Sequence, residues 1–364
     1  MQNAKDSQAL QNGQGQSGLK RFATKFCVSI TLAVGLLAAG ECVLYFLLPP
    51  QVRSPSDYKA FVIWETVRPV FKIVTVDSEG LRQTQHSHCE AGAYTIWMFG
   101  GSSMWGHVMH DWETIPSQVA KHYEESGHPV CVKNYGQEAW VNTQEVIKLM
   151  LLLKRVEKIP DAVIFYDGTN EAFLPYESDE VDAHWGFPRF KNKFESWKFG
   201  EQRGFEYIKS TNTYLGLQWA ADKLQLVHNT AAPRMISAEQ AAPMAMRALD
   251  NYSKNMEIVD LLAAHYGFHY DFFWEPYLPY SRKPLTAAEE SLKKVGARNY
   301  PGLEEVMRAT YDRVSAVKSP HFVFLGDLLN DHRETLFKER DHLNPEGNHL
   351  VAERICQVLQ LPGS

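Results

Sequence analysis

Short apolar runs that alternate with helical segments are the feature that most constrains the fold of this chain. The runs are rich in β-branched and aromatic residues, and they cover residues 93–99, 129–133, 162–166, 269–274 and 322–325. Between them, apolar residues recur at helical spacing. Parallel strands need such helical crossovers, because each connection must return to the same end of the sheet. The sequence therefore predicts an α/β fold, a doubly wound parallel sheet of about five strands.

An aromatic-rich segment, residues 175–235, interrupts this rhythm. Side chains such as Trp185, Phe190 and Phe194 stand there among charged residues. We interpret the segment as an insertion in a domain that covers residues 93–364. It packs either over the sheet edge and the functional site, or against itself as a surface pair of helices with its own small core.

Residues 26–48 form an apolar segment near the N-terminus. At about 23 residues, the segment is long enough to cross a hydrocarbon layer of roughly 30 Å. Residues 1–25 precede it and are rich in Gln, Ser, Gly and Asn, which predicts a disordered tail. The basic residues at the end of that tail predict that it lies in the cytoplasm. Residues 49–92 are expected to be a linker and an irregular lead-in to the domain.

Glu41 interrupts the apolar segment and leaves two interpretations open. Residues 26–48 are either an uncleaved signal anchor, with Glu41 towards its outer end, or a signal peptide that is cut near residues 38–40. A second apolar stretch, residues 43–48, favours the anchor. Both interpretations place the following chain outside the cytoplasm, which in a bacterium is the periplasmic side of the inner membrane.

Charge and cysteine content exclude some classes of protein. The formal net charge is −6, and no basic stripe follows the N-terminal segment, so nothing supports nucleic-acid binding. The five cysteines have no zinc-binding spacing, and no metal or organic cofactor is implied. Cys89 and Cys131 either form a disulfide in an oxidising compartment or remain free thiols, and the sequence leaves both open.

Glycines and polar residues follow the predicted strands, where the functional groups of parallel α/β sheets collect. The first strand leads into Gly100, Gly101 and Ser102. Small glycines allow a sharp turn that presents the serine at a helix N-terminus. The later polar blocks are Asn134 with Gly136, residues 168–171 and residues 339–344.

These blocks resemble the signatures of the GDSL, or SGNH, hydrolase family. The matches follow the family's order through most of the soluble chain, and they are Gly100-Gly101-Ser102-Ser103 with Gly106, Asn134 with Gly136, Gly168-Thr169-Asn170-Glu171, and His342. One match alone is weak, whereas four in order at strand ends are a specific signal. The resemblance implies a flavodoxin-like SGNH fold and a serine hydrolase that acts on ester bonds.

The resemblance also implies a role for each matching residue. Ser102 is expected to be the nucleophile, and His342 the base that takes its proton and later delivers it to the leaving alcohol. The oxyanion hole is expected to consist of the backbone N–H groups of Ser102 and Gly136 with the side-chain amide of Asn170.

Three positions depart from the family pattern. Gly101 and Glu171 stand where the family has Asp. The acid three residues before the histidine is Glu339 instead of Asp, and its longer side chain can still orient an imidazole. Asp341 is the alternative acid, but it is adjacent to His342, and adjacent side chains rarely point together. Glu339 is therefore the preferred third member of the triad.

Three functions are consistent with these residues. The first is an extracytoplasmic esterase that removes acetyl or another short acyl group from a glycan, such as a polysaccharide, or from an envelope component. The second is an O-acyltransferase that uses the same Ser102 and His342. The third is a non-catalytic, SGNH-like binding subunit, to which the departures at Gly101 and Glu339 give some weight.

Overall fold

The computed structural model describes residues 2–48, 56–66, 73–77, 80–155, 158–198, 208, 211–224, 235–359 and 361. The chain divides into two compact units. We call them the anchor unit, residues 1–53 and 196–229, and the sheet unit, residues 54–195 and 230–364.

The strands of the sheet unit form two sheets. A short antiparallel hairpin consists of β1 (Ser56–Lys59) and β2 (Ile63–Thr66). The main sheet is parallel, and its strands are β3 (Thr95–Gly100), β4 (Cys131–Asn134), β5 (Ala162–Asp167), β6 (His269–Trp274) and β7 (Phe322–Phe324). Their spatial order is β4-β3-β5-β6-β7. This sheet confirms the predicted fold class and the predicted strand positions.

Helices occupy the connections. In chain order, those that the structure describes are α1 (Gln2–Leu47), α2 (Ser102–Trp105), α3 (Ile115–Glu125), α4 (Asn142–Leu153), α5 (Thr169–Ser178), α6 (Phe187–Lys198), α7 (Asn212–Lys223), α8 (Ala238–Tyr266), α9 (Ala287–Asn299), α10 (Leu303–Val314) and α11 (Pro345–Val358).

Successive side chains of each strand point to opposite faces of the sheet. Both faces are covered by helices. On one face, Trp97 of β3 packs in a core with Leu149 of α4. On the other, Ile96 packs in a second core with Val119 of α3 and Ile355 of α11. Because β3 lies between β4 and β5, the chain order reverses at β3. The carboxyl end of β3 is therefore the switch point at which open α/β sheets form their ligand crevice.

The lead-in to the sheet is more regular than its sequence suggests. Residues 56–66 form the β1–β2 hairpin. The irregular structure that was expected for residues 49–92 is therefore not found in this part of the segment. Contacts distant in sequence fix the hairpin: the Trp64 indole donates to the carbonyl of Glu138, and the Trp140 indole donates to the carbonyl of Trp64. The compact sheet unit accordingly begins at residue 54 instead of 93.

A disulfide joins Cys89 to Cys131, with 4.5 Å between the Cα atoms. It ties the end of the lead-in to the first residue of β4. The structure thus selects the paired state of these cysteines over the free thiols, which were the alternative that the sequence left open.

In the anchor unit, α1 contains the predicted apolar segment. The helix Thr24–Leu47, 24 residues long, contains an 18-residue stretch with a mean hydropathy of 2.0, which suits a single-pass anchor or a signal peptide. The backbone of residues 2–19 is helical as well, so the prediction of a disordered tail is wrong for this structure. An existing helix can extend into such polar residues because propagation avoids the cost of nucleation.

Glu41 has hydrogen-bonding partners in the same unit. Its carboxylate accepts the backbone N–H groups of Asn212 at 2.6 Å and Thr213 at 2.9 Å, at the start of α7. A carboxylate at a helix N-terminus satisfies free N–H groups and complements the helix dipole. This contact accounts for an acidic residue within an apolar helix.

The predicted insertion, residues 175–235, is divided between the units, since residues 196–229 belong to the anchor unit. In the sheet unit, the Phe190 ring of α6 stacks on Trp64, with 6.1 Å between ring centroids. Trp185 lines the cavity that contains Ser102. This part of the insertion therefore packs on the hairpin and reaches the site, while residues 199–207 and 225–234 lie outside the described residues.

Candidate active site

Ser102 is the first residue of α2, and only Gly101 separates it from the carboxyl end of β3. Close packing explains the two preceding glycines. A Cβ atom on Gly100 would lie 2.6 Å from the Met104 Cβ, and one on Gly101 would lie 2.4 Å from the amide nitrogen of Asn170. The Asn170 amide therefore occupies the space beside residue 101, and a side chain at that position would require Asn170 to move.

The structure brings Ser102, His342 and Glu339 together in one hydrogen-bonded chain. The Ser102 Oγ lies 2.8 Å from the His342 Nε2, and the His342 Nδ1 is hydrogen-bonded to the Glu339 carboxylate. The nearest oxygen of the Asp341 carboxylate is 3.6 Å from the same Nδ1, beyond hydrogen-bonding distance. The backbone N–H groups of Lys338 and Glu339 both donate to the carbonyl of His342, and this tight turn places Glu339 beside the imidazole.

Opposing effects set the pKa of His342. Burial by itself lowers the pKa of the imidazole, but the hydrogen bond that the imidazole donates to Glu339 and the negative charges of Asp341 and Glu275 outweigh burial and raise the pKa above its ordinary value. Conversely, the hydrogen bond to His342 lowers the pKa of Glu339. The pair is therefore suited to hold a proton on Nδ1 while Nε2 faces the serine hydroxyl.

Asn170 lies in the same cavity as Ser102 and His342. Its amide nitrogen donates one hydrogen bond to the carbonyl of Trp140 at 2.7 Å, which leaves the second amide hydrogen for another acceptor. The neighbouring Glu171 accepts the N–H groups of Gly168 at 2.7 Å and Asn142 at 2.8 Å. Glu171 thus braces the turn that carries Asn170.

Gly136 is not brought to this cavity. It is buried, and its N–H donates to the Asn134 side chain at 2.9 Å. A Cβ atom at this position would lie 2.5 Å from the backbone nitrogen of Trp105, so the glycine permits close packing beneath α2. The expected oxyanion role of Gly136 is therefore corrected to a packing role.

Ala139, three residues after Gly136, does reach the cavity. It lines the cavity with Ser102 and Asn170. Its φ of +58° lies in the left-handed region, which is uncommon for alanine. Within the described part of the chain, no acceptor is recorded for its N–H. Sequence analysis missed this residue because alanine gives no signal for a left-handed backbone.

A second histidine–glutamate pair lies against the first. The His107 ring stacks on His342, with 5.0 Å between centroids and 26° between planes. The His107 Nδ1 is 2.7 Å from the Glu138 carboxylate, and the Lys338 ammonium donates to the His107 carbonyl. This pair connects the loop after α2, the loop that carries Ala139 and the turn that carries His342. Neither residue was predicted, since no local motif joins them.

Several carboxyl groups are buried beneath the site. Burial and mutual repulsion raise the pKa values of Glu145 and Asp167 well above their ordinary range. Burial also raises the pKa of Glu275 to about 7, although its carboxylate accepts the N–H of Thr169 at 2.7 Å. Glu275 thereby holds the turn that carries Asn170 from the interior. Asp167 instead accepts hydrogen bonds from the side chains of Asn142 and Tyr252.

The cavity above Ser102 has a volume of about 550 Å³. Part of its wall is aromatic, from Phe173, Trp185, Tyr277 and Tyr300. Ligand atoms of Glu339, Asp341 and His342 lie within 4.8 Å of one another and resemble a metal-binding group. Both His342 nitrogens, however, are already engaged by Ser102 and Glu339, so the group fits a serine–histidine–acid arrangement better than a metal site.

Solved structures that are similar to this chain come from lipolytic and esterase proteins. They include a member of the lipolytic protein G-D-S-L family from Veillonella parvula (11% identical, 73% of this chain and 99% of that chain, TM-score 0.38). Another is the acetyl xylan esterase AlAXEase, which is 10% identical over 73% of this chain and 99% of that chain, with a TM-score of 0.37. A third is a carbohydrate acetylesterase family member from Sinorhizobium meliloti, which is 12% identical over 73% of this chain and 99% of that chain, with a TM-score of 0.36. No family model and no curated protein matches the chain. Identities and TM-scores this low transfer no activity, so the function rests on the site itself.

Proposed function

We propose that this protein is a membrane-anchored serine esterase of the SGNH type that acts outside the cytoplasm. The observation that carries the proposal is the hydrogen-bonded chain from Ser102 through His342 to Glu339. A serine hydroxyl at a strand–helix turn, next to an imidazole whose other nitrogen is held by a carboxylate, is the arrangement that activates serine for acyl transfer.

The mechanism follows from the positions of these groups. The Ser102 Oγ attacks the ester carbonyl, and its proton passes to the His342 Nε2 while Glu339 stabilises the imidazolium. The negative charge that develops on the carbonyl oxygen is held by the Asn170 amide and by the N–H groups of Ser102 and Ala139. His342 then protonates the leaving alcohol, and an acyl-enzyme remains. A water molecule, deprotonated by His342, releases the acid and regenerates Ser102.

The location is supported by two features. The apolar helix Thr24–Leu47 suits an anchor, and the basic residues that precede it favour an N-terminus in the cytoplasm. The Cys89–Cys131 disulfide favours an oxidising compartment. Together they support a single-pass protein of the bacterial inner membrane with its sheet unit in the periplasm.

The proposed substrate is a short acyl ester, such as an acetyl ester, of a glycan or another envelope component. The cavity volume of about 550 Å³ exceeds the needs of an acetyl group alone. Aromatic side chains such as Phe173 and Tyr300 offer flat apolar surfaces on which a sugar ring can pack.

Covalent labelling of the full-length protein in detergent tests the catalytic assignment. A fluorophosphonate is expected to label wild type, and the variant Ser102→Ala is expected to remain unlabelled. The matched control Ser103→Ala removes the neighbouring hydroxyl and should still be labelled. Equal labelling of wild type and Ser102→Ala, or no labelling of either, contradicts the proposal and favours the non-catalytic alternative.

Acyl release distinguishes the esterase from the acyltransferase. Acetate release from an acetylated oligosaccharide is measured with and without a non-acetylated oligosaccharide acceptor. Release to water at the same rate in both cases supports the esterase, whereas product that carries acetyl only on the acceptor contradicts it.

A further inference from the structure

Arg340 stands between the proposed acid and base in sequence and lines the cavity that contains Ser102. Two tyrosines hold its side chain. The guanidinium carbon lies 5.2 Å from the centre of the Tyr300 ring, and the Nη1 is 3.4 Å from the Tyr277 hydroxyl. The side chain is half-buried. The guanidinium is therefore fixed at the cavity wall by neutral groups.

The acids of the cavity do not neutralise this cation by direct contact. Glu138 binds His107, and the carboxylates of Glu339 and Asp341 face the imidazole of His342. In the described part of the chain, no carboxylate oxygen lies within 4.0 Å of the Arg340 guanidinium nitrogens. Partial burial of a cation without a paired anion costs free energy. An arginine in this position is therefore expected to bind an anion from outside the protein.

Arg82 shows how this protein treats an arginine that has only a structural role. It is buried, its Nε is 3.1 Å from the Asp111 carboxylate, and its other nitrogens donate to the carbonyls of Trp105 and Met109. Its guanidinium nitrogens thus form hydrogen bonds with groups inside the protein. Arg340 instead lines the cavity and makes one hydrogen bond within the described part of the chain, from its Nη1 to the Tyr277 hydroxyl.

We propose that Arg340 binds an anionic group of the ester substrate, so that the preferred substrate carries a carboxylate or phosphate near its scissile ester. This inference rests on the proposed esterase function and deepens it. A guanidinium matches the geometry of both anions with two parallel hydrogen bonds. The aromatic wall at Phe173, Trp185 and Tyr300 would pack against the rest of the substrate.

Two pairs of esters that differ only in charge test this proposal. In the first, the charge lies on the acyl side: mono-4-nitrophenyl succinate is compared with its methyl ester. In the second, it lies on the alcohol side: an O-acetylated oligogalacturonate is compared with its methyl-esterified form. For each pair, the ratio of kcat/KM for the acid to that for the methyl ester is measured with full-length protein in detergent.

Wild type is expected to prefer the acid in at least one pair by about 10- to 100-fold, the range of one charge-assisted hydrogen-bonded contact. In Arg340→Gln the ratio is expected to fall to about one, mainly through KM, while Arg340→Lys retains part of the preference. The control Arg354→Gln removes a positive charge on α11, outside the cavity lining, and should retain the wild-type ratio. A ratio of one or less in wild type for both pairs, or an unchanged ratio in Arg340→Gln, overturns the proposal.

A binding measurement separates failure of this proposal from failure of the esterase function. In the Ser102→Ala background, calorimetry is carried out with oligogalacturonate and with succinate, and binding of at least one of them is expected, weakened about 10-fold or more by Arg340→Gln. Equal binding with and without Arg340 contradicts the anion site even if the protein is an esterase. Arg340-dependent binding by a protein whose wild type hydrolyses no ester contradicts the esterase function and leaves the anion site in place.

Discussion

Two histidine–glutamate pairs lie against each other in this protein, and only one of them faces a serine. His342 is held by Glu339 and lies 2.8 Å from the Ser102 Oγ. His107 is held by Glu138, and its ring stacks on the ring of His342. The side chains of the two pairs are chemically alike. What differs is that the free nitrogen of His342 meets a hydroxyl beside oxyanion donors. A histidine–acid pair therefore becomes a candidate base through its third partner, and the second pair is assigned to positioning.

The largest expected difference is between the two histidines. His342→Gln is expected to lower kcat by about 10⁴-fold or more, because no group remains to accept the Ser102 proton. His107→Gln is expected to cost about 10-fold or less, through a less well-held imidazole. Steady-state hydrolysis of 4-nitrophenyl acetate measures both, and a similar loss in the two variants would remove the distinction drawn here.

Replacement of the two glutamates is expected to affect the pH dependence of kcat/KM differently. His342 must be neutral to act as a base, so kcat/KM rises as pH increases through its raised pKa. Glu339→Gln removes a contact and a charge that raise this pKa, so the acid limb should move to lower pH, with a loss of about 10³-fold in rate. Glu138→Gln should leave the limb in place. An unmoved limb in Glu339→Gln contradicts its assignment as the orienting acid.

The oxyanion donor is expected to have a smaller effect. Asn170→Ala removes a side-chain donor and should lower kcat by about 10²- to 10³-fold with a small change in KM. The control is Asn251→Ala on α8. It removes an amide that donates to the Thr143 hydroxyl and to the carbonyl of Val181. A rise in KM with unchanged kcat would show that Asn170 binds substrate without stabilising the transition state.

The smallest expected effect is that of the alternative acid. Asp341→Asn should change kcat/KM by about threefold or less, because its carboxylate lies 3.6 Å from the His342 Nδ1 while Glu339 holds that nitrogen. The comparison with Glu339→Gln is made at the same pH. A larger loss for Asp341→Asn than for Glu339→Gln would reverse the order of the two acids.

Local patterns were sufficient to predict the sheet and the central residues of the site. The strand runs are continuous and apolar, and Ser102, Asn170 and Glu339 each lie within a short motif at a strand end or before the last helix. The spacing of three residues between Glu339 and His342 could be read directly, because one tight turn brings them together.

Features that depend on packing between distant segments could not be predicted. His107 and Glu138 are 31 residues apart in sequence and meet only when two loops converge. Ala139 lines the cavity where Gly136 was expected, and its backbone is left-handed there. The presence of an alanine in the sequence does not predict that conformation. The hairpin at residues 56–66 and the Cys89–Cys131 disulfide likewise depend on partners distant in the chain.

The most direct test of the central claim is the rate at which a fluorophosphonate modifies Ser102 as a function of pH. In wild type and His107→Gln, the rate should rise with pH through the raised pKa of His342. In His342→Gln, it should be slower by about 10³-fold or more and lose this dependence. A His342→Gln variant that is labelled as fast as wild type, with the same pH dependence, would contradict the assignment of His342 as the base for Ser102.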